Sequence, residues 1–449
     1  MRFFGRRSIF RKKYCMRYVL AIAFAFCLAL AKSQELPRRP LLGTRLEKVT
    51  DDVQRIKQLP SQKGVLITEV IANSTAEQAG FKKGDVLLKI NAFETNEPAA
   101  AVKEVAQHTS GEKFSYELIR DGKKIKGNAT FKAIALEKYK DIQMEYNAVA
   151  TGNGLQRVVI SKPNTKTKSP AFVFIGGIGC YSLDNPLDTT GSETQLLNTL
   201  TRAGNVCVRA EKPGMGDNIR CKKCEEVSFT DEVDGYVEII KKIKTYSYID
   251  SSQVYIIGHS MGGVMAPLVA QKTSLKGIIA YGTIGSNFIE YLNKTRRTIG
   301  EAYQWKPEEI DDYIKESCEC AGYYFVEKLS TAEAIKKKEA CKDYLYVFDY
   351  RSRKYNDELY ATNIPAAWKP FNGKALFIWG SSDYISAKED HQILAQTVNY
   401  YHPGHATFLE LANAEHGMRT AGTFQQAQNS PGTYSPAVGK SILEWMKQS

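Results

Sequence analysis

Three signatures that would announce a cofactor are missing from these 449 residues. The chain has no G-x-x-x-x-G-K-[ST] phosphate loop, no dinucleotide fingerprint and no H-E-x-x-H zinc motif. His402 and His405 lie three apart, but no further ligands accompany them. Neither a cofactor nor a metal site is therefore implied. Histidine itself is scarce, with six in the chain, so a mechanism that needs an imidazole base has few places to find one. There is no internal repeat and no low-complexity tract. The first 33 positions lack acidic residues altogether. Arg2, Arg6, Arg7, Arg11, Lys12, Lys13, Arg17 and Lys32 stand there unopposed, and without them the net charge falls from +12 to +4. That remainder forms no basic stripe, so nucleic acid is not an expected partner. An apolar run of about 20 residues, enough for a comfortable membrane span, is missing too.

What stands in its place is shorter. A basic stretch through Arg17 precedes the apolar run Tyr18 to Ala31, with small residues at Ala29, Ala31 and Ser33. This is the anatomy of a secretory signal over residues 1–33, with cleavage after Ala31 or Ser33, or retention as an anchor as the other reading. Export to a bacterial periplasm or cell surface is the expectation, with no membrane span once the signal is gone. Seven of the nine cysteines follow the signal. Cys221 and Cys224 are close enough for a local bridge, and Cys341 has Cys318 or Cys320 as its candidate partner. An odd number leaves at least one thiol free. Cys180 and Cys207 adjoin apolar strand-like runs and read as small buried hydrophobes.

From Leu41 to about Ala133 the chain alternates short strands, turns and two helical stretches. Gly64 to Ile71 is a β-branched strand, Ser74 to Gly80 a capped helix ended by glycine, and Phe81 to Asn91 a turn running into an alternating strand. Pro98 to His108 suits an amphipathic helix. Phe114 to Arg120 and Ile125 to Phe131 flank an Asp121-Gly122 hairpin turn. Leu41-Leu42-Gly43-Thr44, Ala79-Gly80-Phe81 with Gly84-Asp85, and Arg120-Asp121-Gly122 together resemble a PDZ domain of the bacterial protease-associated (HtrA-like), circularly permuted kind. The resemblance implies that Leu41, Leu42, Gly43 and Thr44 form a carboxylate-binding loop, whose N–H groups capture a peptide C-terminus while the peptide adds to the sheet edge. A PDZ fold used only for packing is the alternative.

After about Glu137 strands alternate with helices, the pattern of a mostly parallel sheet. Strand candidates are Leu155–Ser161, Ala171–Ile175, Val206–Ala210, Val254–Ile257, Gly277–Tyr281, Ala375–Trp379 and Thr407–Leu411. Helices are expected over Ser192–Arg202 and Asp231–Tyr246. The block between the Gly277 and Ala375 strands is charged, Tyr-rich and too long for a loop, so it reads as an inserted subdomain.

Gly258-His259-Ser260-Met261-Gly262 sits between an apolar strand and a small-residue helix. Such a turn strains the serine backbone and projects its hydroxyl, and the helix N-terminus behind it favours developing negative charge. The hydroxyl needs a base and the base a carboxylate. Four histidines follow Ser260. His416 is on a polar loop just after the last strand candidate. His402 and His405 precede that strand and belong at the opposite edge, and His391 falls in a helical pattern expected at the surface. Asp383 follows the Ala375 strand and should reach the same rim. Glu389 and Asp390 are the alternatives. The glycine loop Gly176-Gly177-Ile178-Gly179 offers N–H donors for an oxyanion hole, with Ile178 preferred and Gly177 beside it, opposite Met261. Lys212 to Asp217 is another strand-terminal loop on that rim.

Residues 140–449 resemble the α/β-hydrolase family, particularly its capped esterase, lipase and serine-aminopeptidase-like members. The resemblance implies Ser260 as nucleophile, Asp383 as acid and His416 as base, and a cap at about 286–370. Gly176 stands where the family often carries histidine. The expected fold is an α/β-hydrolase doubly wound, mostly parallel sheet with a helical cap insertion, plus a small β-rich α+β PDZ domain at 38–134. The expected function is hydrolysis of an ester, thioester or amide through an acyl-serine. The expected partners are a small acyl or peptide substrate and a peptide C-terminus. A peptidase fed by the PDZ domain, and a non-catalytic PDZ binder on a retired hydrolase scaffold, are the other readings.

Overall fold

The computed structural model describes residues 36–218, 220–429 and 432–448. The signal expected at 1–33 lies outside them. No helix among the described residues is long and apolar enough to cross a membrane.

The first sheet runs β1 (Thr44–Lys48), β2 (Val65–Val70), β3 (Val86–Ile90), β5 (Lys113–Arg120) and β6 (Lys123–Thr130), with β4 (Phe93–Glu94) on β3. All its pairings are antiparallel. Val65, Ile67, Leu87, Ile90, Phe114 and Phe131 fill its core against the helix Pro98–Val105. The Gly84-Asp85 and Arg120 motifs meet in space. Arg120 Nε and Nη2 each donate to the buried Asp85 carboxylate at 2.7 Å, a bidentate pair that ties the turn before β3 to the end of β5. β1 is an edge strand, and its unpaired side faces the helix Pro98–Val105.

The second sheet has eight strands in the order β14-β13-β12-β11-β9-β10-β8-β7. These are β7 (Gln143–Thr151), β8 (Gly154–Lys162), β9 (Ser169–Ile175), β10 (Val206–Ala210), β11 (Ile249–His259), β12 (Gly277–Tyr281), β13 (Lys374–Gly380) and β14 (Ala406–Leu411). From β9 onward neighbours are parallel, and only β8 runs against its neighbours. Residues along β9 alternate between two cores, which is why the run reads as continuously apolar. Val173 and Ile175 face the helices Phe229–Ile243 and Met261–Ala270, while Phe172 and Phe174 face Ser192–Arg202 and Pro436–Gln448. The strand order reverses at β9, which lies between β10 and β11. In a doubly wound sheet the crevice beyond the C-terminal ends at that switch point is where ligands bind.

Six α-helices between Phe288 and Trp368 occupy the long connection from β12 to β13. Two disulfides form, Cys320–Cys341 inside this block and Cys180–Cys224. The first is one of the two expected pairings. The second corrects two expectations: Cys224 pairs across 44 residues with Cys180, not with Cys221, because the fold brings their loops together. Cys207, Cys221 and Cys318 are free. Cys207 is buried as expected, and burial pushes its thiol up to about 12.

Candidate active site

Ser260 ends β11 and caps the helix Met261–Ala270 with φ 53° and ψ −119°, a left-handed conformation forced on a residue with a Cβ. Its flanking glycines are steric necessities. A Cβ on Gly258 would lie 2.6 Å from the Gly262 backbone, and one on Gly262 would lie 2.0 Å from Ile175 O. The turn is pinned by Ser260 N–H to Tyr281 O (2.9 Å) and Thr283 Oγ1 to Ser260 O (3.1 Å).

His416 lies on the loop after β14 and Asp383 on the loop after β13. His416 Nδ1–H donates to Asp383 Oδ2 at 2.9 Å. The other carboxylate oxygen accepts from Ile385 N and Ser386 N, and Ser386 Oγ donates to Oδ2. Burial alone would raise the Asp383 carboxyl, but the neighbouring His416 and these donors hold it below its ordinary range. Burial alone would lower the His416 imidazole; the Asp383 charge and hydrogen bond outweigh it and raise it. Nε2 is thereby left as the basic nitrogen. Ser260 Oγ and His416 Nε2 make no direct hydrogen bond, a contact that commonly tightens only around substrate. Asp390 is committed to Ser286 and Lys294, and Glu389 is exposed, so neither alternative acid is placed at His416.

One histidine differs from its reading by periodicity, and another was not read at all. His391 is fully buried, accepting from Thr283 N at 3.0 Å through Nε2 and donating from Nδ1 to Ala387 O. It is a core residue behind the Ser260 turn, not a surface one. His259, beside Ser260, donates from Nε2 to His416 O at 2.8 Å and so holds the His416 backbone. Burial, with His416 beside it, pushes His259 down to about 4, so it stays neutral. Tyr281 Oη adds a bond to Glu415 O at 2.8 Å. His402 and His405 sit at the far edge, bonded to Lys369 O and Asn372 O.

The glycine loop after β9 crosses in front of Ser260. A Cβ on Gly177 would be 3.5 Å from Ser260 Cβ. Of the three expected donors, Gly177 N–H is already spent on Tyr181 Oη at 3.0 Å. The Ile178 and Met261 N–H groups have no acceptor among the described residues. The contacts that two charged residues make with this loop had no sequence signal. Lys212 Nζ donates to Gly177 O at 2.5 Å, and Arg351 Nη1, from the helical block, donates to Ile178 O at 2.9 Å. In the sequence Lys212 opens the rim loop Lys212–Asp217 and Arg351 lies in the inserted block, with nothing to mark either contact.

A second concave site lies on the first sheet. A cavity of about 360 Å³ runs along β1 and the helix Pro98–Val105, floored by Leu46, Ile71, Val105 and the loop Leu41–Thr44. Leu41 N–H is spent on Lys132 O, whereas the Leu42 and Gly43 N–H groups have no acceptor among the described residues. Thr44 Oγ1 is buried and without a partner. Gly43 has φ 76°, and a Cβ there would fall 2.0 Å from Ser74 Cβ. Leu187 and Met215, from loops of the second sheet, also line it.

Residues 40–130 match the family model described as "PDZ domain". These residues are a PDZ domain. Relatives by sequence include the periplasmic serine endoprotease DegP of Escherichia coli K12, 27% identical over 143 residues, which are 30% of this chain and 29% of that one. The periplasmic pH-dependent serine endoprotease DegQ of the same organism is 29% identical over 93 residues, 21% of this chain and 20% of the relative. The chain thus spans less than a third of the length of these relatives. Among solved structures, Est1E of Butyrivibrio proteoclasticus with ferulic acid bound aligns with a TM-score of 0.43 at 11% identity, covering 67% of this chain and 98% of Est1E. DcsB in complex with its substrate analogue gives a TM-score of 0.43 at 13% identity, covering 68% and 99%. The assignment of the second sheet to the α/β-hydrolase fold rests on its own strand order, parallel crossovers and strand–turn–helix at Ser260, and the PDZ domain precedes it.

Proposed function

We propose that the chain is an exported serine hydrolase, with Ser260 as nucleophile, His416 as general base, Asp383 as its orienting acid, and Ile178 and Met261 N–H as oxyanion donors. The observation that carries this is the junction of a positive-φ serine on a strand–turn–helix with a buried His416–Asp383 pair at the same rim. Ser260 Oγ attacks a substrate carbonyl as His416 Nε2 takes its proton. The tetrahedral oxyanion lies against the two N–H groups, and His416 returns the proton to the leaving group. Water, activated by the same base, then releases the acyl group. Ester, thioester and amide carbonyls all fit this sequence of steps.

The helices between Phe288 and Trp368 act as a cap over the site. The PDZ groove takes a peptide C-terminus, its carboxylate on the Leu42 and Gly43 N–H groups and Thr44 Oγ1. A peptide substrate is the second reading, favoured by that groove. Two disulfides fit an oxidising compartment, and periplasmic relatives of the PDZ segment agree with export.

The test is fluorophosphonate labelling of the full chain beside Ser260→Ala and His416→Ala, followed by turnover of p-nitrophenyl acetate and of aminoacyl amides. Labelling lost in both variants is expected. A folded wild type that neither labels nor turns over either substrate overturns the reading and leaves the PDZ groove as the working part.

A further inference from the structure

Three successive peptide units of the glycine loop are held by side chains, and two of the three holders are buried cations. Gly177 N–H goes to Tyr181 Oη, Gly177 O receives Lys212 Nζ, and Ile178 O receives Arg351 Nη1. Glu232 joins the cations underneath: its Oε1 lies 3.1 Å from Lys212 Nζ, and its Oε2 accepts from Arg351 Nη2. All three side chains are 2% exposed or less. Such a triad is costly to desolvate, and its replacement by hydrophobic residues of similar size is often neutral or stabilising in proteins. Its position suggests what the cost is for.

The peptide unit is planar and trans, and no cis bond occurs among the described residues. Across the Gly177–Ile178 unit the N–H therefore points opposite to the C=O. Lys212 pulls Gly177 O toward the Glu232 side, so Ile178 N–H is turned the other way. A cation on the carbonyl oxygen also polarises the unit and makes that N–H a stronger donor. Arg351 fixes the next unit, so the loop cannot rotate about Ile178. Its guanidinium is itself packed 3.8 Å over the Tyr355 ring. The helical block thus supplies part of the loop's support.

We infer that Lys212 and Arg351, bridged by Glu232, are positioning residues that aim the Ile178 N–H at the oxyanion formed on attack by Ser260. Neither touches substrate. The inference rests on the Ser260 reading and deepens it.

The test compares full-length wild type, Lys212→Met, Arg351→Met and Arg351→Lys, with Ser260→Ala as the blank. Hydrolysis of p-nitrophenyl acetate is followed together with inhibition by a short alkyl trifluoromethyl ketone, which forms a tetrahedral oxyanion on the serine. Lys212→Met and Arg351→Met are expected to lose roughly 100-fold in kcat, with KM changed by less than about threefold. The ketone's Ki should rise by the same factor as kcat/KM falls, and Arg351→Lys should recover part of the loss. A loss of packing alone would not make ketone affinity track kcat/KM. If Lys212→Met does not fold, the Arg351 pair decides by the same criteria. An active wild type, a dead Ser260→Ala and unchanged kcat in folded Lys212→Met and Arg351→Met would overturn the inference and leave the Ser260 reading intact. A wild type without activity overturns both.

Discussion

Ser260 shows how one residue's backbone can carry more information than its side chain. Its φ of 53° is affordable only because Gly258 and Gly262 leave room and Tyr281 O takes its N–H. His416, proposed as the base opposite it, carries a pH prediction. His416 must be neutral to accept the serine proton, and Asp383 raises its pKa above the ordinary 6.5 against the pull of burial. Hydrolysis should therefore rise as pH increases through that raised value, placing the acid limb of kcat/KM above 6.5. Asp383→Asn removes the charge, so the limb should move to lower pH while kcat falls by roughly 10⁴-fold. A kcat/KM profile for both proteins checks this, and a limb that stays put in Asp383→Asn would count against His416 as base. The placing of Ser260, Asp383 and His416 on loops of one rim was legible in the sequence because each follows an apolar strand. His259, Lys212 and Arg351 were not, since nothing in local pattern says that a charge or imidazole will be enclosed by distant segments. His391 was misread for the same reason: its neighbours look solvated, yet it faces inward against Thr283.

At the scale of elements, strands with both faces covered are easiest to read. β10 and β12 coincide with the apolar runs Val206–Ala210 and Gly277–Tyr281. β7 escaped notice because its Gln143–Thr151 span, at the sheet edge, is mostly half-exposed and mixes polar with apolar side chains. The six-residue helix Asp51–Ile56 has no buried residue at all, so no apolar stripe marks it. Disulfide connectivity is the clearest case of topology overriding proximity. Cys180 ends the glycine loop after β9, and its partner Cys224 follows the Lys212 loop after β10, so the bond clips together two loops at the switch point. Closing 44 residues restricts the unfolded chain, an effect of about 4 kcal/mol in the chain-entropy model, with about 2–5 kcal/mol typical for removing a native bond. The double variant Cys180→Ala with Cys224→Ala should therefore lower the denaturant midpoint of the second sheet by a corresponding amount. It should also reduce kcat more than KM, because the clipped loop is the one that carries Ile178. Equilibrium unfolding in urea and steady-state kinetics on the same preparation measure the two effects. Unchanged stability would show that the packing of the loops, not the bond, holds them.

For the whole molecule, what matters is where the PDZ groove ends. Residues of the first sheet make its floor, but Leu187 and Met215 come from loops of the second. The segment before β1 is tied to those loops by charge: Arg38 reaches Asp184 at 2.6 Å and Asp217 at 2.8 Å, and Arg39 N–H donates to Asp217 Oδ1. Asp184 and Asp217 are buried, and Arg157 also pairs with Asp217 at 2.8 Å, so removing Arg38 would take the cation from Asp184 while Asp217 keeps one. The groove is therefore a property of both sheets, and neither half alone presents the same surface. A peptide laid beside β1 would set its carboxylate on the Leu42 and Gly43 N–H groups and its last side chain among Leu46, Val105 and Met215. An apolar C-terminal residue with a free carboxylate is thus the expected ligand. A fluorescent hexapeptide ending in valine should bind the full chain, and its C-terminal amide should bind at least about tenfold more weakly, a difference of about 1.4 kcal/mol. Val102→Glu, on the exposed side of the helix, and Met215→Glu, on the other sheet's loop, should each cost a similar factor in anisotropy titrations. Loss with Val102→Glu but not with Met215→Glu would confine recognition to the first sheet. Equal binding of acid and amide would mean that the Leu41–Thr44 loop does not read a carboxylate, and that its free N–H groups and the Thr44 hydroxyl serve packing against the second sheet instead.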